Sequence, residues 1–103
     1  MKQIFSQLFY EVEKGRDTVL VTLIADRGSA PRKAGAQMLV GAEGRLVGTI
    51  GGGAVEHLAV QEAKALWTHG GGPVRRHYDL TPGAAELGMV CGGDIDVEFE
   101  VRK

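Results

Sequence analysis

A single cysteine, Cys91, stands among 103 residues. It has no partner for an intramolecular disulfide, and one thiolate is too few for a Cys-rich zinc site. Aromatic side chains make up only 6% of the chain. They are not interleaved with the local basic pairs, Arg32 with Lys33 and Arg75 with Arg76, so stacking platforms for bases are missing. The formal net charge of −1 lacks the basic surplus whose counterion release drives general nucleic-acid binding. No run approaches the ~20 apolar residues of a membrane span. The N-terminal stretch MKQIFSQLFYEVEKG is amphipathic and acidic, unlike the apolar core of a secretory signal. The expectation is a cytoplasmic protein with neither nucleic acid nor membrane as a partner.

What the chain has in excess is glycine. Its 16 glycines are twice the ~7% average share, show no G-x-y period and fall between apolar runs. Three segments concentrate them: GSAPRKAGA at 28–36, GTIGGGAVEH at 48–57 and GMVCGG at 88–93. Without side chains, backbone N–H groups approach a ligand closely, and a helix N-terminus adds partial positive charge. The first segment also carries the cations Arg32 and Lys33. The pattern reads as a surface able to hold something anionic.

Hydrophobic content of 44% and charged content of 24% suit one ordinary globular domain spanning 1–103. Ile4, Phe5, Leu8, Phe9 and Val12 recur at helical spacing over 2–14, with Gly15 as the C-terminal stop. TVLVTLIA (18–25) is β-branched and reads as a buried strand. Segments 37–40 and 45–50, split by GAEG, predict a hairpin. Val55, Leu58, Ala59, Ala63, Leu66 and Trp67 form a second helical stripe, ended by Gly70–Gly71–Gly72–Pro73. A strand is expected over 74–80, then an irregular connection over 81–93 with a helical turn near 84–87. In the last segment Ile95, Val97, Phe99 and Val101 alternate with Asp94, Asp96, Glu98 and Glu100, a strand with one apolar and one acidic, solvated face. The expected architecture is α+β: a single two-layer domain, a mixed β-sheet packed by two main helices.

Known phosphate cradles do not match. In GGGAVE, Gly51 and Gly53 fit G-x-G-x-x-G, but Glu56 replaces the third glycine that lets helix pack on strand. No G-x-x-x-x-G-K-[ST] occurs, which excludes a P-loop. Gly51, Gly52 and Gly53 make either a plain strand-to-helix turn or a ligand cradle. Glu56 either caps the free helix amides or accepts hydrogen bonds from donor edges of a ligand such as a pterin ring. The 28–36 loop is either a solvated bend or a surface that lies closely against another. Cys91 is either a small buried hydrophobe or a thiolate among free amides. His57 and His69, twelve residues apart on the second helix, are not an i, i+4 metal pair, and His77 lies beside Arg75 and Arg76. The alternating Asp and Glu row lacks convergent partners. Ser29 is the sole candidate nucleophile, and no base is marked for it.

GSAPRKAGAQMLV, GTIGGGAVE and GMVCGGDIDVEFE, in this order and spacing, resemble the amino-terminal domain of the xanthine dehydrogenase accessory protein family, which includes carbon monoxide dehydrogenase maturation factors. The resemblance covers about Thr18 to Val101. It implies a non-enzymatic maturation factor that binds the molybdenum cofactor, as molybdopterin or its dinucleotide form, protects it and helps insert it into a molybdenum hydroxylase apoenzyme. The cofactor is an anionic pyranopterin with a phosphate, a dithiolene and a molybdenum oxo-sulfido group. The cofactor-binding residues so implied are Ser29, Arg32, Lys33, Gly51, Gly52, Gly53, Glu56 and Cys91. The glycine amides with Arg32 or Lys33 would hold the phosphate, Glu56 the pterin edge, and Cys91 the sulfur-rich end.

Longer members of the family continue into a Rossmann-like domain, which is absent from these 103 residues. A separate Rossmann-domain partner is therefore one expectation, and a homo-oligomer formed through a strand edge or the Ile4–Val12 helix is another. Two further readings compete. The domain is a docking module that never touches the cofactor, or a redox protein using Cys91, which would need a resolving thiol from elsewhere.

Overall fold

The computed structural model describes residues 2–28, 30, 32–68, 70, 72–80 and 93–102. The elements run α1 (Lys2–Glu13), β1 (Thr18–Arg27), β2 (Gln37–Gly41), β3 (Gly44–Gly48), α2 (Gly53–Ala65), β4 (Val74–Asp79) and β5 (Asp94–Arg102). The expected order of helices and strands holds throughout. The expected connection over 81–92, with its helical turn, lies outside the described residues, as do Ser29, His69 and Cys91.

The strands form one sheet in the order β3-β2-β1-β5-β4. Every pairing in it is antiparallel, so the sheet is not mixed as expected. The reason is topological. β3 and β4, which α2 joins, run the same way, but α2 carries the chain from one edge of the sheet to the other. They never become neighbours. A two-residue turn, Ala42–Glu43, closes the β2–β3 hairpin between paired Gly41 and Gly44.

Alternation along β1 divides the core. Val19, Val21 and Leu23 face α2, packing with Met38, Val40, Val55, Ala59, Ile95, Val97 and Phe99. Leu20 points the other way, joining Leu39, Ile4 and Leu8 beneath α1. Because successive strand residues point to opposite faces, the two helices cover opposite faces of the sheet. The α+β class stands, with helices on both sides instead of the expected two layers.

α1 is stopped as its sequence predicts. Gly15, at φ 71°, follows the helix; its N–H donates to Val12 O at 3.0 Å, and Arg16 N–H to Glu11 O at 2.9 Å. This pair of reversed bonds is the Schellman motif, which glycine permits. Buried Glu11 receives Arg16 Nε at 3.0 Å, Arg16 Nη2 at 3.1 Å and Gln7 Nε2 at 3.1 Å. The Arg16 bond, with smaller help from its charge and from Gln7, holds the carboxyl below its ordinary pKa despite opposing burial. The apolar stripe of α1 is only partly used. Ile4 is buried and Leu8 half-buried, whereas Phe5, Phe9 and Val12 are exposed.

Candidate functional site

The topology brings the strand ends that bound the glycine-bearing connections to one end of the sheet. β1 ends at Arg27 where β2 begins at Gln37; β3 ends at Gly48 just before α2 begins at Gly53; β4 ends at Asp79 where β5 begins at Asp94. Antiparallel pairing puts all six of these termini on the same side. The strand ends that flank the three glycine-rich segments, far apart in sequence, therefore share one end of the domain.

Two of them meet directly. A Cβ built on Gly28 would stand 2.7 Å from Gly93 Cα, too close for any side chain. Gly28 itself has φ +74°, a conformation that side-chain-bearing residues rarely adopt. Gly28, the first residue of the 28–36 loop, thus lies directly against Gly93. Gly93 O also accepts Leu80 N–H at 2.9 Å, joining the end of β4 to the start of β5.

Asp26 organises the rest of this loop. Its Oδ2 accepts Ala34 N–H at 2.7 Å, and its Oδ1 lies 3.6 Å from Lys33 Nζ. Gly35 N–H donates to Leu23 O at 2.8 Å and Leu23 N–H to Ala36 O at 2.9 Å, so the loop returns to β1 before β2 begins. Ala30 is buried in the core while Arg32 and Lys33 stand exposed. The loop is anchored at both ends with its cations in water.

The turn into α2 is more tightly built. Gly52, at φ 75° and ψ −176°, is the N-cap residue and makes no side-chain cap bond. Glu56 does not supply one either, which corrects the capping reading. Its Oε1 accepts the Thr49 hydroxyl at 2.6 Å, and that hydroxyl in turn accepts Gly51 N–H at 3.1 Å. Its Oε2 lies 3.6 Å from Arg45 Nε, and Arg45 Nη1 donates to Gly48 O at 2.8 Å. A Cβ on Gly52 or Gly53 would meet nothing within 4 Å. The helix thus begins beneath open space, without a side-chain cap, and its nearest carboxylate is already engaged.

Sequence reasoning missed Thr49, Arg45 and Asp26. A hydroxyl directly before a glycine run, and an aspartate at a strand end before a turn, are the local signals that mark the first and last. Arg45 had none, because only the β3–α2 geometry brings it to Glu56.

The acidic row on β5 does find partners, contrary to expectation. Arg27 Nε donates to Asp94 Oδ2 at 3.0 Å and Arg27 Nη2 to Asp96 Oδ2 at 2.9 Å. His77 Nδ1 lies 2.7 Å from Asp96 Oδ1, and Arg75 Nε donates to Glu98 Oε2 at 3.2 Å. The bonds from His77 and then Arg27 hold the Asp96 carboxyl below its ordinary pKa. These side chains are paired across strands β1, β5 and β4. Among the described residues, no group of three or more His, Cys, Asp or Glu side chains forms a metal site. No helix among them is long and apolar enough to cross a membrane.

Known proteins place this geometry in a lineage. The chain is 40% identical over 81 residues to the molybdenum cofactor insertion chaperone PaoD of Escherichia coli, covering 79% of this chain and 25% of PaoD. It is 36% identical over 94 residues to a probable xanthine dehydrogenase component of Bacillus subtilis, covering 86% of this chain and 28% of that protein. The crystal structure of a xanthine dehydrogenase from Bacillus halodurans superposes with a TM-score of 0.77 at 30% identity, over 93% of this chain and 29% of that one. The chain thus spans about a quarter of the length of these relatives. The model of the XdhC and CoxI family matches residues 11–79, from the end of α1 through both anchored glycine turns to the end of β4, and the chain belongs to that family.

Proposed function

We propose that this domain serves the maturation of a molybdenum hydroxylase by holding the molybdenum cofactor, as molybdopterin or its dinucleotide form, at the glycine-rich end of the sheet. The observation that carries the reading is the shared location of the strand ends that flank the glycine segments, with an open helix start among them. The name of the PaoD relative, a molybdenum cofactor insertion chaperone, supports the same cargo. The role is that of an accessory protein delivering cargo, not of an enzyme.

The chemistry of the donors fits the group. Gly52 and Gly53 leave space above the backbone, where amides at a helix start attract a phosphate. Exposed Arg32 and Lys33 add charge-assisted donors for the same oxygens, and Ser29 a hydroxyl. Glu56 keeps acceptor capacity beyond its bond from Thr49, since an ionised carboxylate offers about four lone-pair sites; it takes a pterin N–H. Cys91 is assigned to the sulfur-rich end. When bound, the cofactor carries the molybdenum oxo-sulfido centre that the target hydroxylase uses. The partner that receives it is the hydroxylase apoenzyme, with a Rossmann-like polypeptide supplying the rest of the cofactor's enclosure.

The test is anaerobic incubation of the purified protein with released molybdenum cofactor, followed by oxidation and fluorescence of the retained pterin. Retention near one per chain, lowered by Arg32→Ala and by Cys91→Ser with the fold intact, supports the reading. No retention, together with tight binding to the hydroxylase that survives Arg32→Ala, would instead make the domain a docking module.

A further inference from the structure

β4 ends the sheet order, so among the described residues no strand lies on its outer side. Its pairing with β5 is regular from Val74 to Asp79, and Leu80 N–H continues the ladder to Gly93 O at 2.9 Å. Backbone groups of an antiparallel strand turn to alternate sides. With Leu80 turned towards β5, Tyr78, Arg76 and Val74 turn the same way, and Arg75 and His77 direct their N–H and C=O outward. Arg76 Nη1 covers Arg75 O at 3.1 Å, which leaves Arg75 N–H and both backbone groups of His77 facing the open side. The other edge is a poorer template. β3 carries a register shift, and its Gly48 O already accepts Arg45 Nη1 at 2.8 Å.

The two faces of β4 differ in chemistry. On one, Val74 and Tyr78 pack against the core beneath α2. On the other, the side chains of Arg75 and His77 are 73% and 52% exposed. Their acidic partners, Glu98 and Asp96, lie inward on β5. A strand added outside β4 would lie about 4.8 Å from it and about 10 Å from β5, so the basic row dominates the field it meets. Arg75 gives Nε to Glu98, and a guanidinium has five N–H donors, so donors remain for a further carboxylate. A recess of about 260 Å³ beside this row, lined by Ile24, Arg75, Arg76, His77 and Asp96, gives room for it. Charged side chains guard an edge against indiscriminate pairing. A guard of one sign still admits a strand of the other, because opposite charges across a pair stabilise it and like charges oppose it.

We infer that the β4 edge docks an extended segment of another polypeptide in which acidic and apolar residues alternate. The segment adds one more strand to the five-stranded sheet, the mode of recognition known as β-augmentation. Its backbone pairs with Arg75 and His77, its carboxylates meet their side chains, and its apolar residues extend the row of Val74 and Tyr78.

The probe is the acetylated and amidated peptide TEVEVET, added to isotopically labelled whole chain and followed by amide chemical shifts and hydrogen exchange. Shifts centred on β4 and slower exchange of the Arg75 and His77 amides are expected. The same peptide N-methylated at every inner residue should not bind, nor should TKVKVKT. Arg75→Gln should weaken binding about two- to fivefold, the range of an exposed ion pair, with unchanged circular dichroism. No shifts at millimolar peptide would overturn the inference. So would equally tight binding of the N-methylated or lysine peptide, undiminished binding to Arg75→Gln, or shifts centred on β3 in place of β4.

Discussion

Thr49 and Glu56, seven residues apart, are joined by a 2.6 Å bond in which the hydroxyl donates to the carboxylate while accepting Gly51 N–H at 3.1 Å. One side chain thereby sets both the glycine turn and the first turn of α2. Removing it leaves a part-buried amide and a part-buried carboxylate each short of a partner.

Thr49→Val is therefore expected to lower stability by about 1–3 kcal/mol, with Thr49→Ser restoring most of the loss. Urea denaturation midpoints of the three proteins check this. A valine variant as stable as the parent would show that the hydroxyl is dispensable.

Glycine substitutions should separate into two grades. At Gly48, φ is +82°, and a Cβ would strike Gln37 O and come within 2.8 Å of Ile4 Cδ1. At Gly28 it would press on Gly93 Cα, a backbone atom that cannot swing aside. At Gly52 the same alanine meets open space, so only the positive φ costs, about 1–2 kcal/mol. Thermal melts should rank Gly48→Ala and Gly28→Ala well below Gly52→Ala. Equal melting temperatures would contradict the packing.

Acid sensitivity follows from two carboxylates held below their ordinary values, Glu11 by Arg16 and Asp96 by His77 and then Arg27. A depressed folded-state pKa stabilises the fold above the ordinary value and is lost as pH falls through the folded one. For these groups the loss begins below 4.5 and 3.8 respectively. Glu11→Gln and Asp96→Asn should each flatten the decline of melting temperature below about pH 4.5, although both start from a less stable protein at neutral pH.

The alkaline limb has a different origin. Burial, then the charge of Glu62, pushes the Tyr78 phenol up to about 12, against a smaller opposing effect from Arg76. Its raised value stabilises the fold below the ordinary 10 and is lost as pH rises to about 12. Ultraviolet titration of tyrosinate should show a late phase that Tyr78→Phe abolishes.

Much of this fold was legible in the chain. Hydrophobic period and glycine punctuation located both helices and every described strand, because these signals are local: side-chain direction repeats every two residues in a strand and about every 3.6 in a helix. Gly15 ended α1 where the pattern stopped. The same periodicity does not say how much of α1 the core covers. A stripe of five apolar residues does not reveal that its neighbours cover only Ile4 and Leu8, for that depends on how far the sheet extends beneath the helix.

The sequence by itself determined the elements, the three glycine-rich segments and, through their order and spacing, the family. Tertiary structure alone decided that the sheet is antiparallel throughout, that the helices take opposite faces, and that Gly28 touches Gly93. It also decided that Glu56 turns from the helix amides to Thr49 and Arg45, and that the acidic row of β5 is hydrogen-bonded by Arg27, His77 and Arg75. The reason is the same in each case. Pairing between distant strands and competition among charges for one carboxylate are settled by which residues the completed sheet sets side by side, and no local pattern encodes that.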